Sequence, residues 1–167
     1  MKKKILLGLS GSVACSKAEL FVNQNSEKFE FKFLSTHNGL NYLSEEFIKS
    51  NNIYSDWSEL SGSPHIELAR WADEIIIYPA SANLISKISS GIGDDLLTST
   101  ILMFSKPIYI CPAMHEEMYM NSQIQSNVLN LSKNHYIVGP RYGNLDIGDK
   151  GLGRLIEPDE LLEVLNK

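Results

Sequence analysis

Small and hydroxyl-bearing residues directly after the first apolar run could bind a phosphate. The segment GLSGSVACSK, residues 8–17, places Ser10, Gly11 and Ser12 between that run and a helical pattern. At a helix start, backbone N–H groups and hydroxyls can approach an anion, and the helix dipole favours its negative charge. The segment lacks the GxGxxG spacing of a dinucleotide site, so a mononucleotide phosphate fits it better than NAD. An ordinary turn with an N-cap explains the same residues equally well.

The segment PASAN, residues 79–83, also follows an apolar run and starts the next helical pattern. Small side chains at Ser81 and Ala82 would let a flat ring, or a chain of ribityl hydroxyls, lie against the backbone. Ser81 and Asn83 would supply hydrogen bonds to such a ligand. The alternative is a helix start with proline and serine that binds nothing.

The segment PAMHEEMY, residues 112–119, has the same position after another apolar run. Met114 and Met118 are one helical turn apart, so they could form a flexible apolar wall against an aromatic ring. A methionine pair at this spacing is also typical of a protein core. His115 and Glu116 suggest metal ligands, but the HExxH spacing is absent and no metal site is predicted.

His65 follows Pro64 and begins the helical pattern HIELARWAD. At a helix N-terminus the dipole holds an imidazole close to neutrality, so the ring can accept a proton. A capping or surface histidine is the alternative, and composition alone favours that simpler explanation.

The alternation of apolar runs predicts the scaffold that must position these segments. Short β-branched and aromatic runs alternate with longer amphipathic ones, which indicates an α/β fold: a doubly wound parallel sheet with helices on both faces. The predicted strands are residues 4–10, 29–35, 74–80, 107–113 and 136–140. The predicted helices are residues 13–25, 39–50, 65–71, 82–91 continuing through 102, 122–134 and 159–165. Two stretches, 51–64 and 141–155, fit no regular element and are expected to be binding loops or lids.

All of the polar segments lie at or beyond the ends of predicted strands. In an open parallel sheet, ligands bind beyond the carboxyl ends of the strands. Ser35 and Thr36 close the second predicted strand at that same edge. We therefore expect the polar segments to form one site.

Length and composition predict one domain and argue against several classes of partner. The chain has 167 residues, which suits a single domain over residues 1–167 with 43% hydrophobic and 21% charged residues. A formal net charge of -5 argues against a nucleic-acid partner. No apolar run reaches membrane-spanning length, so no membrane association is expected. Cys15 and Cys111 form no CxxC or metal-ligand spacing, which favours a cytoplasmic protein with reduced thiols.

Four segments in this order and spacing closely resemble the flavin-dependent cysteine decarboxylase family: HIELARWAD, PASANLISKISSGIGDDLLTST, PAMHEEMY and GDKGLGRL. The nearest branch is that of the phosphopantothenoylcysteine decarboxylases of coenzyme A biosynthesis, and the resemblance covers nearly the whole chain. It implies a flavodoxin-like, Rossmann-like three-layer fold that binds FMN at a subunit interface. It also implies homotrimers, or dodecamers made of trimers, that act on a small cysteine-containing substrate.

The resemblance implies roles for single residues as well. His65 matches the family's essential histidine, Lys17 matches a lysine near the site, and His115 stands where an asparagine holds the substrate carboxylate. These three are the predicted catalytic residues. Gly151 matches a glycine of the loop that closes over the substrate. The predicted FMN-binding residues are Ser10, Gly11, Ser12, Ser35, Thr36, Ser81, Ala82, Asn83, Met114 and Met118.

In the mechanism that the resemblance implies, FMN takes a hydride from the carbon that bears sulfur, and the resulting thioaldehyde accepts the electrons released with CO2. His65 would be the base near the thiol, and a protonated His115 would pair with the carboxylate, which would make activity pH-dependent.

The family's loop cysteine, which donates the proton needed to reduce the enethiol product, is Ile147 here. Cys111 ends a neighbouring strand, but its expected role is that of a small buried core residue. The open alternatives are another proton donor, a peptidyl-cysteine decarboxylase that stops at the enethiol, and a non-catalytic FMN-binding regulator or partner subunit.

Overall fold

The computed structural model describes the backbone of residues 1–167 and every side chain except that of Glu59. Six strands form its central sheet: β1 (Lys3–Leu9), β2 (Phe29–Ser35), β3 (Ile53–Tyr54), β4 (Glu74–Ala80), β5 (Tyr109–Pro112) and β6 (Tyr136–Ile137). The sheet is parallel throughout and has the strand order β3-β2-β1-β4-β5-β6. The strand order reverses between β1 and β4, and such a switch point is where doubly wound sheets bind ligands.

Helices cover both faces of the sheet. They are α1 (Cys15–Asn25), α2 (Glu45–Ser50), α3 (Pro64–Trp71), α4 (Ala82–Ser89), α5 (Leu96–Met103), α6 (Glu116–Tyr119), α7 (Ser122–Leu131) and α8 (Pro158–Leu165). Side chains alternate between the faces of a strand. In β1, Ile5 and Leu7 therefore pack with α1, α2 and α8, whereas Leu6 packs with α3, α4, α5 and α7. All three side chains are fully buried, and the predicted doubly wound, three-layer fold is confirmed.

Local capping divides two of the predicted helices. Residues 39–50 form a short 3-10 helix, Asn38–Tyr42, followed by α2, because the Ser44 side chain accepts a hydrogen bond from the N–H of Phe47 and starts a new helix. The helix predicted to start at residue 82 and continue through residue 102 is instead two helices, α4 and α5. Asp95 and Thr98 form a capping box there, in which each side chain bonds the backbone N–H of the other residue.

The two stretches expected to lack regular structure contain strands, so that prediction is wrong. Ile53–Tyr54 adds the edge strand β3 to the main sheet. Residues 141–155 contain an antiparallel hairpin of β7 (Arg141–Asn144) and β8 (Lys150–Arg154). Its glycines hide the strand pattern, because glycine has no side chain to alternate between two faces. Within the described residues, no helix has both the length and the apolar character needed to cross a membrane.

Candidate functional site

A cavity of about 480 Å³, here called the cleft cavity, opens at the switch point between β1 and β4. The predicted binding residues in its wall are Gly11, Thr36, Ser81, Ala82, Asn83 and Met118. Gly11 lies close to Asn38, and a Cβ atom there would require the side-chain amide of Asn38 to move. The loop after β1 and the start of α4 thus bring the GLSGS and PASAN segments together.

Ser10 and Ser35 support this cavity from within the fold. The Ser10 hydroxyl donates to the Pro79 carbonyl at 2.8 Å and accepts from the Ser81 N–H at 2.8 Å. Ser10 is fully buried, and its single hydroxyl proton is already used. The buried Ser35 hydroxyl donates to the carbonyl of Thr36 at 2.8 Å. Both serines lie outside the cavity wall, and their contact with a cofactor stays a prediction.

We expect Ser10→Ala to lower the free energy of unfolding by roughly 1–3 kcal/mol, because the Pro79 carbonyl and the Ser81 N–H both lose a buried partner. Urea unfolding of the variant and the wild type measures this change. Ser105→Ala removes a hydroxyl from an exposed residue, so it should stay within about 0.5 kcal/mol of the wild type. An unchanged midpoint for Ser10→Ala would show that this hydroxyl does not hold the two strand ends together.

The start of α4 forms one side of the cleft cavity. Ser81 caps this helix by accepting from the Leu84 N–H at 3.3 Å, and Ala82 and Asn83 are its first two residues. The first N–H groups of a helix have no partner within the helix and are available to a ligand. Lys87 and Asp94, also in the cavity wall, form an ion pair at 2.8 Å.

A second cavity of about 630 Å³, here called the hairpin cavity, lies between the β7–β8 hairpin and the start of α1. Ser12, Met114 and two predicted catalytic residues, Lys17 and His115, line it. The neighbouring residues Gly11 and Ser12 line different cavities, so the two cavities meet across one loop. The predicted site residues are therefore divided between two adjoining spaces.

Positive charge is concentrated on one side of the hairpin cavity. The Glu157 carboxylate accepts from Lys17 Nζ at 2.9 Å and pairs with a guanidinium nitrogen of Arg154 at 3.1 Å. Lys17 Nζ also donates to the Leu155 carbonyl at 2.8 Å. The Nε atom of Arg154 is buried and has no hydrogen-bond partner among the described residues. Two cations share one carboxylate here, which suits an anionic ligand.

His115 lies in the wall of the hairpin cavity between two carboxylates. Its Nδ1 contacts Glu117, and its Nε2 lies 3.0 Å from Oδ2 of Asp149. The hydrogen bond with Glu117, supported by Asp149, raises the pKa of His115 above its ordinary value. Because this pKa is raised in the folded state, the ion pairs are complete below the ordinary histidine pKa of about 6.5 and are lost as pH rises through the higher folded value.

The hairpin is docked on the PAMHEEMY segment by close backbone contacts. The Met114 N–H donates to the Gly153 carbonyl at 3.1 Å, and the Leu152 N–H donates to Oε1 of Glu116 at 2.7 Å. A Cβ atom on Gly153 would overlap the Met114 carbonyl oxygen, and one on Gly151 would lie 2.9 Å from Glu116 Cβ. Glycine at both positions therefore allows β8 to lie directly on this segment.

His65 lies beside the cleft cavity but not in its wall. It is the second residue of α3, after Pro64, as predicted. Its ring meets the ring of Trp57 edge to face at a centroid distance of 5.1 Å, and Trp57 does line the cleft cavity. Nδ1 of His65 is buried and has no hydrogen-bond partner among the described residues. Trp57 thus contacts His65 and also lines the cavity.

Ile147 occupies the tip of the hairpin, where its side chain is 84% exposed and borders the hairpin cavity. The Cys111 side chain is fully buried, which raises the pKa of its thiol and confirms its expected role as a core residue. Burial also raises the pKa of Cys15, to about 11. Both thiols thus keep their protons inside the core.

Sequence reasoning did not single out several residues of the site, among them Trp57, Asp149, Arg154 and Glu157. Asp149 and Arg154 belong to the quoted GDKGLGRL segment, whose resemblance was the available signal. Trp57 lies in the stretch 51–64, whose sequence shows no periodic pattern of apolar residues. Among the described side chains, no group of three or more His, Cys, Asp or Glu residues is arranged to hold a metal ion.

Comparison with known sequences shows a whole-chain similarity. The model of the Flavoprotein family matches residues 1–167. The coenzyme A biosynthesis bifunctional protein CoaBC of Vibrio cholerae serotype O1 is 38% identical over 169 residues, which cover 96% of this chain and 42% of that protein. The chain therefore spans less than half of the length of this relative.

Solved structures with the same fold cover almost the whole chain. A PPC decarboxylase mutant complexed with pantothenoylaminoethenethiol has a TM-score of 0.91 and 31% identity, with coverage of 99% of this chain and 97% of that chain. The FMN binding protein AtHal3 has a TM-score of 0.87 and 32% identity over 99% and 96% of the two chains. The epidermin biosynthesis protein EpiD from Staphylococcus aureus has a TM-score of 0.84 and 28% identity over 97% and 99%.

Proposed function

The chain belongs to the flavoprotein family, within its flavin-dependent cysteine decarboxylases, and on that basis we propose that it converts phosphopantothenoylcysteine to phosphopantetheine in coenzyme A biosynthesis. Residues 1–167 would form a single FMN-binding domain. The observation that carries the proposal is the pair of adjoining cavities: one with a wall of small residues at the switch point of the sheet, and one with cationic residues under a hairpin. A cofactor and an anionic substrate can thus lie side by side.

The residues of the cleft cavity fit FMN. Gly11, Ser81 and Ala82 leave the backbone open to a flat ring or a ribityl chain, and Asn83 and Thr36 offer polar groups. The start of α4 suits a negatively charged or electron-rich group because its first N–H groups lack helical partners. We therefore propose FMN as the flavin.

The residues of the hairpin cavity fit the substrate. When bound, the flavin supplies the two-electron redox chemistry that decarboxylation of a cysteine derivative requires. His115 holds the substrate carboxylate through a charge-assisted hydrogen bond, and Lys17 and Arg154 add positive charge for an anionic substrate. His65, beside the cleft cavity, is the proposed base, and its buried Nδ1 has no hydrogen-bond partner among the described residues. The docked hairpin forms one wall of this cavity.

One experiment tests the proposal and the fate of the enethiol together. The purified yellow protein is incubated with phosphopantothenoylcysteine and, separately, with a peptide that ends in cysteine, and the products are identified by mass. Loss of CO2 alone from the first substrate is the expected result. A further loss of two hydrogens would mean that the reaction stops at the enethiol, as Ile147 in place of the family's loop cysteine permits. Turnover of the peptide alone would assign a peptidyl-cysteine decarboxylase, and no turnover with FMN bound would indicate a regulator or partner subunit.

We expect His115→Asn to remove the pH dependence that the imidazolium causes. In the wild type, kcat/KM should fall as pH rises through the raised pKa of His115, because the cation that pairs with the substrate carboxylate is lost. Asparagine keeps a hydrogen-bond donor but does not titrate. Profiles of kcat/KM against pH for both proteins measure the effect, and the same falling limb in both would contradict the role of His115.

We also propose that the protein is a cytoplasmic homo-oligomer, a trimer or a dodecamer of trimers. Val13 and Tyr42 line the hairpin cavity and Met118 lines the cleft cavity, yet they are 55%, 41% and 51% exposed. Exposed apolar side chains around an open site commonly mark an interface. Light scattering should give a mass that is a multiple of three chains, whereas a monomer of 18.7 kDa would contradict the proposal. Two observations support the cytoplasmic location: both cysteines are free, and a relative is named for coenzyme A biosynthesis.

A further inference from the structure

The hairpin places a carboxylate of its own on the histidine that faces the hairpin cavity. Oδ2 of Asp149 lies 3.0 Å from Nε2 of His115, and the Glu117 carboxylate contacts Nδ1 of the same ring. An imidazolium has two N–H donors, and here each of them meets a carboxylate. A third carboxylate can therefore bind His115 only if one of these two leaves.

The position of Asp149 follows from the fold of the hairpin. The Leu145 N–H donates to the carbonyl of Asp149 at 2.8 Å and closes the turn between β7 and β8. Farther along β8, the Leu152 N–H donates to Glu116 at 2.7 Å and holds the strand against α6. The tip of the hairpin thus brings Asp149 to His115 whenever the hairpin is docked.

We infer that Nε2 of His115 is a carboxylate subsite that Asp149 occupies in the resting protein, and that the carboxylate of the substrate enters by displacing Asp149. This inference rests on the proposed function, because it takes the cysteine carboxylate as the incoming ligand. Glu117 belongs to the same segment as His115, so its backbone stays close to the ring even though its side chain is 79% exposed. Asp149 belongs to a separate element, and its side chain is 55% exposed, so it can move into solvent.

The exchange is balanced in charge and in hydrogen bonds. One carboxylate replaces another on Nε2, so His115 stays an imidazolium and keeps two charge-assisted bonds. The other charged groups around the cavity are Lys17, Asp146, Arg154 and Glu157, and none of them has to change its protonation for the exchange. Displacement of Asp149 also removes the contact between the tip of the hairpin and His115, whereas β8 stays docked through Leu152 and Gly153.

Binding of N-acetyl-L-cysteine to Asp149→Asn tests the subsite without turnover. This probe carries the thiol and the carboxylate that both candidate substrates share. The imidazole resonances of His115, assigned by their absence from His115→Asn, report binding at a pH below about 6.5, where His115 is charged in both proteins. If Asp149 occupies the subsite for most of the time, its removal should lower the dissociation constant by about three- to tenfold. Glu163→Gln, which neutralises an exposed carboxylate on α8, should leave the dissociation constant unchanged.

A second measurement follows the hairpin itself. In the wild type, saturating N-acetyl-L-cysteine should speed hydrogen exchange at the Leu145 amide, whose partner is the Asp149 carbonyl. Equal or weaker binding to Asp149→Asn, or an unchanged exchange rate at Leu145, would overturn the inference. A different outcome separates the two proposals. If N-acetyl-L-cysteine binds more tightly to Asp149→Asn but the wild type does not decarboxylate phosphopantothenoylcysteine, the subsite is supported and the proposed function is contradicted.

Discussion

Replacing His65 with asparagine is expected to reduce decarboxylation by about 10²- to 10⁴-fold, the range typical of losing a general base. Asparagine retains polar groups near the same place but cannot take up a proton at neutral pH. His65 lies outside the walls of both cavities, so the amount of flavin bound should stay the same. The quantities to measure are kcat/KM for phosphopantothenoylcysteine and the flavin absorbance per chain.

A substitution on the same helix provides the matched control for His65. Glu67 is exposed on α3, and Glu67→Gln should keep both activity and flavin content. If His65→Asn retained activity within about tenfold of the wild type, the loss would be too small for a general base, and His65 would be a structural residue of the α3 start. A loss of flavin together with activity would place His65 in cofactor binding instead.

The second large effect is expected from Gly153→Ala, which should lower kcat/KM on the order of 100-fold because a shift of about 1 Å at a catalytic site has that consequence. The added Cβ would overlap the backbone carbonyl oxygen of Met114, and a backbone atom cannot turn aside as a side chain can. The hairpin must therefore move off the PAMHEEMY segment. That movement carries Asp149 and Arg154 with it, and it breaks the hydrogen bond from the Met114 N–H to the Gly153 carbonyl.

Gly148→Ala separates this overlap from simple strain in the hairpin. Gly148 has a positive φ of 84°, but a Cβ atom there would meet nothing within 4 Å. The variant should therefore lose only about 1 kcal/mol of stability through its backbone conformation and keep the hairpin docked. Hydrogen exchange at the hairpin amides, measured together with kcat/KM, distinguishes the two variants. If the hairpin amides of Gly153→Ala were as well protected from exchange as those of the wild type, the hairpin would have stayed docked. The predicted loss of kcat/KM should then be absent.

Features that depend on residues near in sequence could be predicted from the sequence. The strands β1 and β4 are continuous apolar runs, because both of their faces are buried, and their bounds match the prediction to within one residue. His65 after Pro64 and Ser81 in PASAN were placed correctly at helix starts, since a cap is a contact between residues three or four positions apart. The meeting of GLSGS and PASAN at one sheet edge followed from the rule for parallel strands.

The hairpin and its contacts could not be predicted in this way. Gly151 and Gly153 are residues typical of a loop, and the sequence therefore predicted one. They are needed in the strand because β8 lies against Met114 and Glu116. Those partners are distant in the chain, so no local pattern reveals them.

The sequence by itself determined the class of fold, the segments of the site and, through their resemblance, the family. Only the tertiary structure decided how the site residues are divided. It assigned Gly11 to one cavity and the adjacent Ser12 to the other, brought Trp57 against His65, and brought Asp149 to His115 across 34 positions of the chain. The physical reason is that burial patterns and caps are local, whereas the partner of a polar side chain depends on which distant backbone the packing brings beside it.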